Sequence, residues 1–355
     1  MLSTTRKIRV LTVDDSIFFQ KVLKEKLSTY NPNIEIIAQA FHANDALKKL
    51  EQITPDVITL DVEMPGMSGI ELIKVITSRK PIPIILVSSL NLSVFDALSN
   101  GAVDFIQKPD MSSPAMLDTV LQRLANKIVI GSHSKVRALT RTATQPILPT
   151  LQRSSMSYGN SHSRNHKIIA IGASTGGTEA ILEVLKSLPT HIPGIVITQH
   201  MPAGFTKMYA ERLNRICNIE VKEAQNGDMI RPGLALIAPG GLQMKVVKSL
   251  QGYSVSCYSG ATVSGHCPSV DVLFSSMAEQ VGANGIGIIL TGMGRDGAQG
   301  MLQMHKAGAY TIGQDRASSV VYGMPMEAYN LGAVTTQVSC SQIATTLIQY
   351  LNKQS

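Results

Sequence analysis

The sequence has few cysteines and no long apolar run. Its four cysteines lie far apart and form no Cys-x-x-Cys pair: Cys217, Cys257, Cys267 and Cys340. This spacing argues against a disulfide framework and a thiolate zinc site, and reduced thiols fit a cytoplasmic protein. No apolar stretch approaches the roughly 18 residues that a membrane helix needs, and the first one is too short for a signal peptide. We therefore expect a cytoplasmic protein that is not inserted in a membrane.

Acidic residues are absent from the segment 131–165. This segment holds five basic side chains, seven serines, four threonines and two prolines, whereas residues 1–130 hold 14 basic and 14 acidic side chains. Such a composition is typical of a flexible linker. The basic side chains are scattered and do not form one helical face, so a tether explains the net charge of +7 better than a nucleic-acid-binding arm does.

Two folded domains, 1–130 and 166–355, are expected on either side of this linker. The chain has 355 residues, 44% hydrophobic and 16% charged, which is enough for two cores at roughly 150 residues per domain. In the first domain short β-branched runs alternate with helical stretches, which predicts an α/β fold with a doubly wound parallel sheet. The runs are Ile8–Val13, Ile34–Ala38, Asp56–Leu60, Ile82–Val87 and Val103–Gln107.

Polar residues follow four of these runs, and ligands of such sheets bind beyond the carboxyl ends of the strands. The residues are Asp14, Asp15, Asp61, Ser88 and Lys108. Converging carboxylates repel one another unless a divalent cation neutralises them, and hard oxygen ligands select Mg²⁺. With a hydroxyl and a lysine they form a site for an acyl phosphate. An aspartate at a strand end often only caps the next helix, but five such residues at one edge favour a site.

The first domain resembles the two-component receiver family. The resemblance rests on Val13-Asp14-Asp15-Ser16, on the stretch 60–69 (LDVEMPGMSG), on Val87-Ser88-Ser89 and on Lys108-Pro109. It implies a flavodoxin-like fold, Asp61 as the phosphoacceptor, and Mg²⁺ held by Asp15, Asp61 and the Glu63 carbonyl, with Asp14 acting through water. It also implies that Lys108 contacts the phosphoryl group, that Ser88 and Phe105 form a switch pair, and that the peptide before Pro109 is cis. Gln20 and Ser68 depart from the family's usual residues without touching the phosphorylation chemistry.

The second domain places a serine between a strand and a helix. Residues 167–189 (KIIAIGASTGGTEAILEVLKSLP) read as a strand, a glycine turn and an amphipathic helix, and Gly172 to Gly176 fit the Gly-x-Ser-x-Gly pattern around Ser174. A phosphate loop would need a lysine after the last glycine, and Thr178 follows Gly177. A dinucleotide fingerprint is absent. Taken alone, a plain structural turn is at least as good an interpretation as a catalytic serine.

Two further strands of this domain also end in polar residues. The run Gly194–Thr198 leads to His200, and the run Gly285–Leu290 leads to Asp296. Serine, histidine and aspartate at one edge of a parallel sheet can act as nucleophile, general base and orienting carboxylate. Their order differs from the Ser, Asp, His order of α/β-hydrolases. His266, Cys267 and Cys257 invite a metal site, but their segment reads better as a loop that enters a helix.

Receiver, linker and Ser/His/Asp domain together resemble the chemotaxis response-regulator protein-glutamate methylesterase family. The specific stretches are 171–177 (IGASTGG), 199–206 (QHMPAGFT), 238–241 (APGG), 268–274 (PSVDVLF), 291–301 (TGMGRDGAQGM) and 314–328 (QDRASSVVYGMPMEA). The resemblance implies a mainly parallel α/β catalytic domain with Ser174 as nucleophile, His200 as base and Asp296 as its partner. It implies an oxyanion hole from the backbone N–H groups of Thr175 and Met293, and no cofactor in this domain. Gln243, Arg316 and the long linker are departures.

By the same resemblance the protein hydrolyses glutamate methyl esters on chemoreceptors, releases methanol and deamidates receptor glutamines. A histidine kinase would phosphorylate Asp61, and the unphosphorylated receiver would cover the catalytic mouth. We expect a monomer. Three alternatives stay open: the same chemistry serving a non-chemotaxis receptor array, a non-enzymatic response regulator in which Ser174 is structural, and a nucleic-acid-binding regulator that uses the linker. The sequence favours the methylesterase.

Overall fold

The structure is a computed structural model that describes residues 6–88, 93–109, 114–136 and 167–354. The N-terminal domain contains β1 (Ile8–Val13), α1 (Ile17–Tyr30), β2 (Ile34–Ala40), α2 (Ala43–Gln52), β3 (Val57–Leu60), α3 (Gly69–Arg79), β4 (Ile84–Ser88), α4 (Ser93–Ser99), β5 (Asp104–Gln107) and α5 (Pro114–Ser132). Its five strands are parallel in the order β2-β1-β3-β4-β5. The predicted doubly wound sheet is confirmed, and its order reverses between β1 and β3, where Val13 pairs with Leu60.

The C-terminal domain is built on a second, seven-stranded sheet. Its elements are β6 (Ile168–Ala173), α6 (Gly177–Lys186), β7 (Gly194–Gln199), α7 (Phe205–Ile216), β8 (Glu220–Glu223), β9 (Leu234–Ile237), β10 (Gln243–Ser249), β11 (Gly252–Tyr258), α8 (Val270–Gln280), β12 (Gly285–Ile289), α9 (Ala298–Lys306), β13 (Tyr310–Gln314), α10 (Met324–Asn330), β14 (Thr336–Val338) and α11 (Cys340–Lys353). A short 3-10 helix spans Gly282–Asn284. The sheet order is β14-β13-β12-β6-β7-β9-β8, all parallel, and β10 and β11 form a separate antiparallel pair.

Three central strands of this sheet determine the site. Strand β6 pairs with β12 on one side and with β7 on the other, and every residue of the three strands is buried. Such continuous apolar runs are typical of parallel strands whose two faces are both covered by helices. The loops that follow β6, β7 and β12 therefore leave the same edge of the sheet side by side.

The two domains contact each other through aromatic rings. Phe105 on β5 packs on Phe205 at the start of α7, with ring centroids 4.7 Å apart, and Phe95 on α4 stacks on Tyr209 at 5.5 Å. All four rings are buried. The receiver face made by α4 and β5 is thus covered by the catalytic domain, at the edge where β6 and β7 end.

The helical end of the first domain differs from its predicted boundary. The predicted linker begins at 131, yet α5 continues to Ser132, and 137–165 lie outside the described residues. The Lys135 amide donates a hydrogen bond to the Val320 carbonyl at 3.0 Å, so the end of the receiver touches the catalytic domain.

The prediction of a cis peptide before Pro109 is wrong, because the cis peptide among the described residues precedes Pro268. The trans isomer is favoured by about 0.5–1 kcal/mol, and Lys108 reaches its carboxylate partners from it. Across the described ranges, no helix is both long and apolar enough to cross a bilayer.

Candidate functional site

Ser174 lies on a sharp turn between β6 and α6. Its amide donates to the Thr291 carbonyl at 3.0 Å, and the Gly177 amide donates to the Ser174 carbonyl at 2.7 Å. Gly176 has φ +76°, a left-handed conformation that favours glycine, and a Cβ there would lie 2.7 Å from a Val320 side chain. The turn therefore requires glycine at this position, and it holds Ser174 at the carboxyl edge of the sheet.

His200 connects Ser174 to Asp296. Its Nδ1 lies 3.1 Å from Ser174 Oγ, and its Nε2 lies 2.8 Å from Asp296 Oδ2. A carboxylate accepts hydrogen bonds, so Nε2 carries the proton and the Nδ1 lone pair faces the serine hydroxyl. This tautomer leaves His200 ready to take the Ser174 proton. The structure thus brings together the three residues that the sequence singled out at three strand ends.

Asp296 is the most enclosed member of the triad, with 1% of its surface exposed. It accepts hydrogen bonds from the Ser269 hydroxyl at 2.7 Å, from the amides of Val270 and Asp271 at 2.8 and 3.0 Å, and from His200. Burial would raise the pKa of Asp296, but the bonds from His200, Ser269 and Asp271 outweigh it and lower that pKa. The two amides open α8, whose N-terminus favours negative charge. Asp296 is therefore held as a carboxylate.

Two backbone N–H groups flank Ser174 without an acceptor. The amides of Thr175 and Met293 donate no hydrogen bond to another group of the described ranges. The loop after β12 approaches the serine closely, since a Cβ on Gly292 would lie 2.7 Å from Ser174 Cβ. Met293 itself is 44% exposed. Both donors are therefore available to an oxygen ligand, and their role as an oxyanion hole stays a prediction.

Sequence reasoning missed two supports of the triad. The amide nitrogen of the buried Gln199 side chain donates to the carbonyl oxygens of Ser174 and His200, at 3.0 and 3.2 Å. Ser269, the N-cap of α8, donates to Asp296 and accepts from the Val272 amide. A serine just before a helix is a recognisable N-cap signal. Its second partner, however, lies in a distant loop and cannot be found from local sequence.

His266 also belongs to the site, although the sequence placed it in an ordinary loop. Its ring stacks on His200, with centroids 3.6 Å apart and planes 8° apart. His200, His266 and Asp296 each offer a ligand atom within 4.8 Å of the others. The stacked rings direct their lone pairs into parallel planes, which do not converge on one ion, and both His200 nitrogens already have partners. Neither Cys257 nor Cys267 joins a metal-competent group in the described ranges.

The receiver gathers three carboxylates and a lysine at the junction of β1 and β3. Asp14, Asp15 and Asp61 each place an oxygen within 4.8 Å of the others. Lys108 Nζ lies 2.8 Å from both Asp14 Oδ2 and Asp61 Oδ2. Burial raises the pKa of Asp14; burial would lower the pKa of Lys108, but its bonds to the two aspartates raise it. Oxygen ligands of this kind fit a hard divalent cation.

The remaining predicted receiver residues surround this cluster. Ser88 is buried, and within the described ranges its hydroxyl has no hydrogen-bond partner, as expected for a group that awaits an oxygen ligand. The Glu63 amide donates to Asp61 Oδ1 at 3.0 Å, and the ligand role of its carbonyl stays a prediction. Phe105 is buried against Phe205. Gln20, a departure from the family pattern, is buried and donates to the backbone carbonyls of Asp14 and Ala40.

Comparisons with known proteins agree with this architecture. The sequence model of the CheB methylesterase family matches residues 169–347, and that of the response regulator receiver domain matches residues 10–120. Protein-glutamate methylesterase/protein-glutamine glutaminase 2 of Syntrophomonas wolfei is 49% identical over 98% of this chain and 99% of its own length. A protein-glutamate methylesterase/protein-glutamine glutaminase of Salmonella typhi is 42% identical over 95% of each chain. The crystal structure of the Thermotoga maritima CheB methylesterase catalytic domain is 34% identical, with a TM-score of 0.51, and covers 52% of this chain and 98% of that one.

Proposed function

This chain belongs to the protein-glutamate methylesterase/protein-glutamine glutaminase family, and from that membership we propose that Ser174, His200 and Asp296 hydrolyse glutamate methyl esters on chemoreceptors under the control of Asp61. The observation that carries the proposal is the His200 bridge, 3.1 Å to Ser174 Oγ and 2.8 Å to Asp296. The base therefore contacts both the nucleophile and the orienting carboxylate.

The first half of the reaction forms an acyl-enzyme. His200 Nδ1 takes the hydroxyl proton while Ser174 Oγ attacks the carbonyl carbon of the methyl ester. The resulting oxyanion lies near the amides of Thr175 and Met293, and losing one such donor typically costs about 2.7–4 kcal/mol of barrier. The C–O bond to the methoxy group then breaks, and His200 returns the proton so that methanol leaves. Asp296 stabilises the imidazolium formed in between.

The second half restores the enzyme. A water molecule gives a proton to His200 and attacks the acyl carbon, and Ser174 departs with that proton as glutamate is released. A glutamine side chain follows the same route, with ammonia in place of methanol. The amide is a poorer leaving group, so we expect slower deamidation than ester hydrolysis. The three residues thus account for both activities in the family's name.

The receiver would accept a phosphoryl group on Asp61 from a chemotaxis histidine kinase. A receiver carries a divalent metal site in this pocket, and Asp14, Asp15 and Asp61 supply oxygen ligands that suit Mg²⁺. The metal, when bound, neutralises the carboxylates and the incoming phosphate. Lys108 would contact one phosphoryl oxygen, and the Ser88 hydroxyl, which has no partner among the described residues, would donate to another.

The contact between the domains supports inhibition by the unphosphorylated receiver. Thr175, next to the nucleophile, donates its hydroxyl to Asp104 Oδ2 on β5 at 2.6 Å, and Lys127 Nζ lies 2.7 Å from the same oxygen. Phe105, the neighbour of Asp104, packs on Phe205. A rearrangement of Ser88 and Phe105 on phosphorylation would loosen this contact. The substrate would then reach Ser174.

We place the enzyme in the cytoplasm, as a monomer that meets membrane-bound receptors without inserting in the bilayer. The test is methanol release from methylated receptor membranes with the full chain and a small phosphodonor. Ser174→Ala should abolish release, because alanine has no hydroxyl to attack the ester carbonyl. Ser187→Ala, an exposed serine just after α6, is the matched control and should retain wild-type activity. Equal release by Ser174→Ala and wild type would refute the proposed nucleophile.

A further inference from the structure

The ring of His266 covers one face of the His200 ring. The centroid distance of 3.6 Å and the angle of 8° describe a closely parallel stack, tighter than the roughly 4.5–7 Å usual for aromatic pairs. His200 makes both of its hydrogen bonds in the ring plane, to Ser174 and to Asp296. A ring stacked at this distance opposes any tilt of that plane. The mechanism above gives His266 no role, so this contact is unexplained by it.

His266 is itself held in place by three groups of contacts. Its amide and carbonyl pair with the carbonyl and amide of Val263, at 2.9 and 3.0 Å. Its Nδ1 lies 2.9 Å from the Ser264 carbonyl, so Nδ1 carries the proton. The buried Gln243 side chain donates to the His266 carbonyl at 3.2 Å and accepts from the Ser269 amide at 2.9 Å. The loop is thereby tied to Ser269, which also contacts Asp296.

His266 is uncharged at neutral pH. Burial, the neighbouring His200 and the receiver's Lys127 together lower the pKa of His266 to about 4, although Asp296 and the Ser264 carbonyl act in the opposite direction. An uncharged ring can stay in contact while His200 gains and loses a proton, because no repulsion between two cations arises. The stack is therefore compatible with every step of the reaction.

We propose that His266 is a positioning residue for His200: its ring, fixed by the 263–266 turn and by Gln243, holds the His200 imidazole in the plane that reaches Ser174 and Asp296 together. The inference rests on the proposed role of His200 as general base. A tilted imidazole would lose one of its two hydrogen bonds. Displacements of about 1 Å in a catalytic group can cost on the order of 100-fold in rate.

The opposing interpretation is that His266 only anchors its own loop. Two substitutions separate the interpretations. His266→Phe keeps a flat ring over His200 and loses the hydrogen bond to Ser264, whereas His266→Ala loses both. If the ring matters, phenylalanine should restore the rate; if only the loop anchor matters, phenylalanine and alanine should behave alike. His305→Ala is the matched control, because it removes an exposed histidine ring at the C-terminal end of α9.

The experiment measures kcat and KM of methanol release by the full chain with a phosphodonor, and thermal unfolding of each variant. We expect His266→Ala to lower kcat about 10- to 100-fold with KM within about twofold. His266→Phe should recover kcat to within about threefold of wild type, and His305→Ala should equal wild type. A His266→Ala kcat within about twofold of wild type overturns the inference, as does a folded His266→Phe that is as slow as His266→Ala.

Two controls keep the result decisive. If His266→Ala fails to fold, the folded His266→Phe variant decides alone: near-wild-type kcat supports positioning by the ring, and a loss of more than about tenfold overturns it. Ser174→Ala separates a failure of the proposed function from a failure of the role given to His266. An active Ser174→Ala would refute the proposed function, whereas an inactive Ser174→Ala beside a fully active His266→Ala would overturn only the role of His266.

Discussion

The carboxyl edges of the two sheets differ in how their negative charge is balanced. In the receiver, Asp14, Asp15 and Asp61 converge, and Lys108 is the cation that contacts two of them. In the methylesterase domain, Asp296 accepts four hydrogen bonds, so donors of the same domain balance its charge. The receiver edge is built to take up a cation and a phosphoryl group. The esterase edge is complete before the substrate arrives.

The difference explains how one chain can use two parallel sheets for separate tasks. A site with excess negative charge changes state when a ligand neutralises that charge, which suits a switch. A site whose charge is already balanced by hydrogen-bond donors keeps its geometry, which suits an acid-base catalyst. The Thr175–Asp104 hydrogen bond joins the two. Four substitutions test this comparison, from the largest expected effect to the smallest.

Asp296→Asn removes the carboxylate of the esterase edge with little change in shape. The asparagine side chain has one donor nitrogen in place of a carboxylate oxygen, so it cannot accept all four hydrogen bonds that Asp296 accepts. His200 should therefore lose the tautomer that takes the Ser174 proton. We expect kcat of methanol release to fall by about 10⁴-fold, the size found for the matching change in a serine protease. Asp228→Asn, at a carboxylate that binds Lys222, is the control. A fall of less than about tenfold would contradict the assigned role.

Lys108→Ala removes the receiver's internal cation. Asp14 and Asp61 would then repel each other without compensation, and the phosphoryl group would lose a partner. We expect the phosphodonor to give no stimulation of methanol release, while the unstimulated rate stays at the wild-type level. Lys24→Ala, an exposed lysine on α1, should keep the full stimulation. Normal stimulation of the Lys108→Ala variant would show that the cation is dispensable.

His266 makes the esterase edge sensitive to acid. Its pKa in the fold is about 4, below the roughly 6.5 of an unfolded chain, so the unfolded state binds the proton first. Stability conferred by this group is present above pH 6.5 and is lost as the pH falls toward 4. From pH 7.5 to pH 5 the loss is about 2 kcal/mol. The free energy of unfolding, measured by denaturation at both pH values, should not show this loss of about 2 kcal/mol in His266→Phe. The His133→Phe control should still show it.

Asp104→Ala breaks the hydrogen bond that joins the two edges. Thr175 would lose its receiver partner, while the aromatic contacts and the Lys135–Val320 hydrogen bond would still hold the interface. We expect the unstimulated rate of the full chain to rise about three- to tenfold, since one hydrogen bond to a charged group contributes about 1.5–3 kcal/mol when buried and less when water can replace it. Asp118→Ala, on a surface of α5 that contacts Tyr30 and Lys26, should leave the rate unchanged.

The sequence predicted the parts of both sites that depend on strand order. Ser174, His200 and Asp296 each follow a buried run, and parallel strands bring such residues to one edge whatever lies between them. The five polar residues of the receiver follow the same logic. Boundaries moved by only a few residues, for example from Ile82–Val87 to the observed Ile84–Ser88.

What sequence could not predict depends on loops that meet in space. His266 was interpreted as part of a loop entering α8, and that much is correct, but its stack on His200 depends on how the turn 263–266 is tied by Gln243. The Thr175–Asp104 bond joins residues 71 positions apart in two domains. Neither contact has a local sequence signature, because each depends on packing between elements that lie far apart in the sequence.

The most direct test of the account is the effect of acetyl phosphate on methanol release by the full chain, measured in wild type and in Asp61→Asn. Phosphorylation at one edge should open the other, so we predict clear stimulation in wild type and none in Asp61→Asn, with the two unstimulated rates alike. Equal stimulation of both proteins would contradict the claim that the receiver edge controls the esterase edge through Asp61.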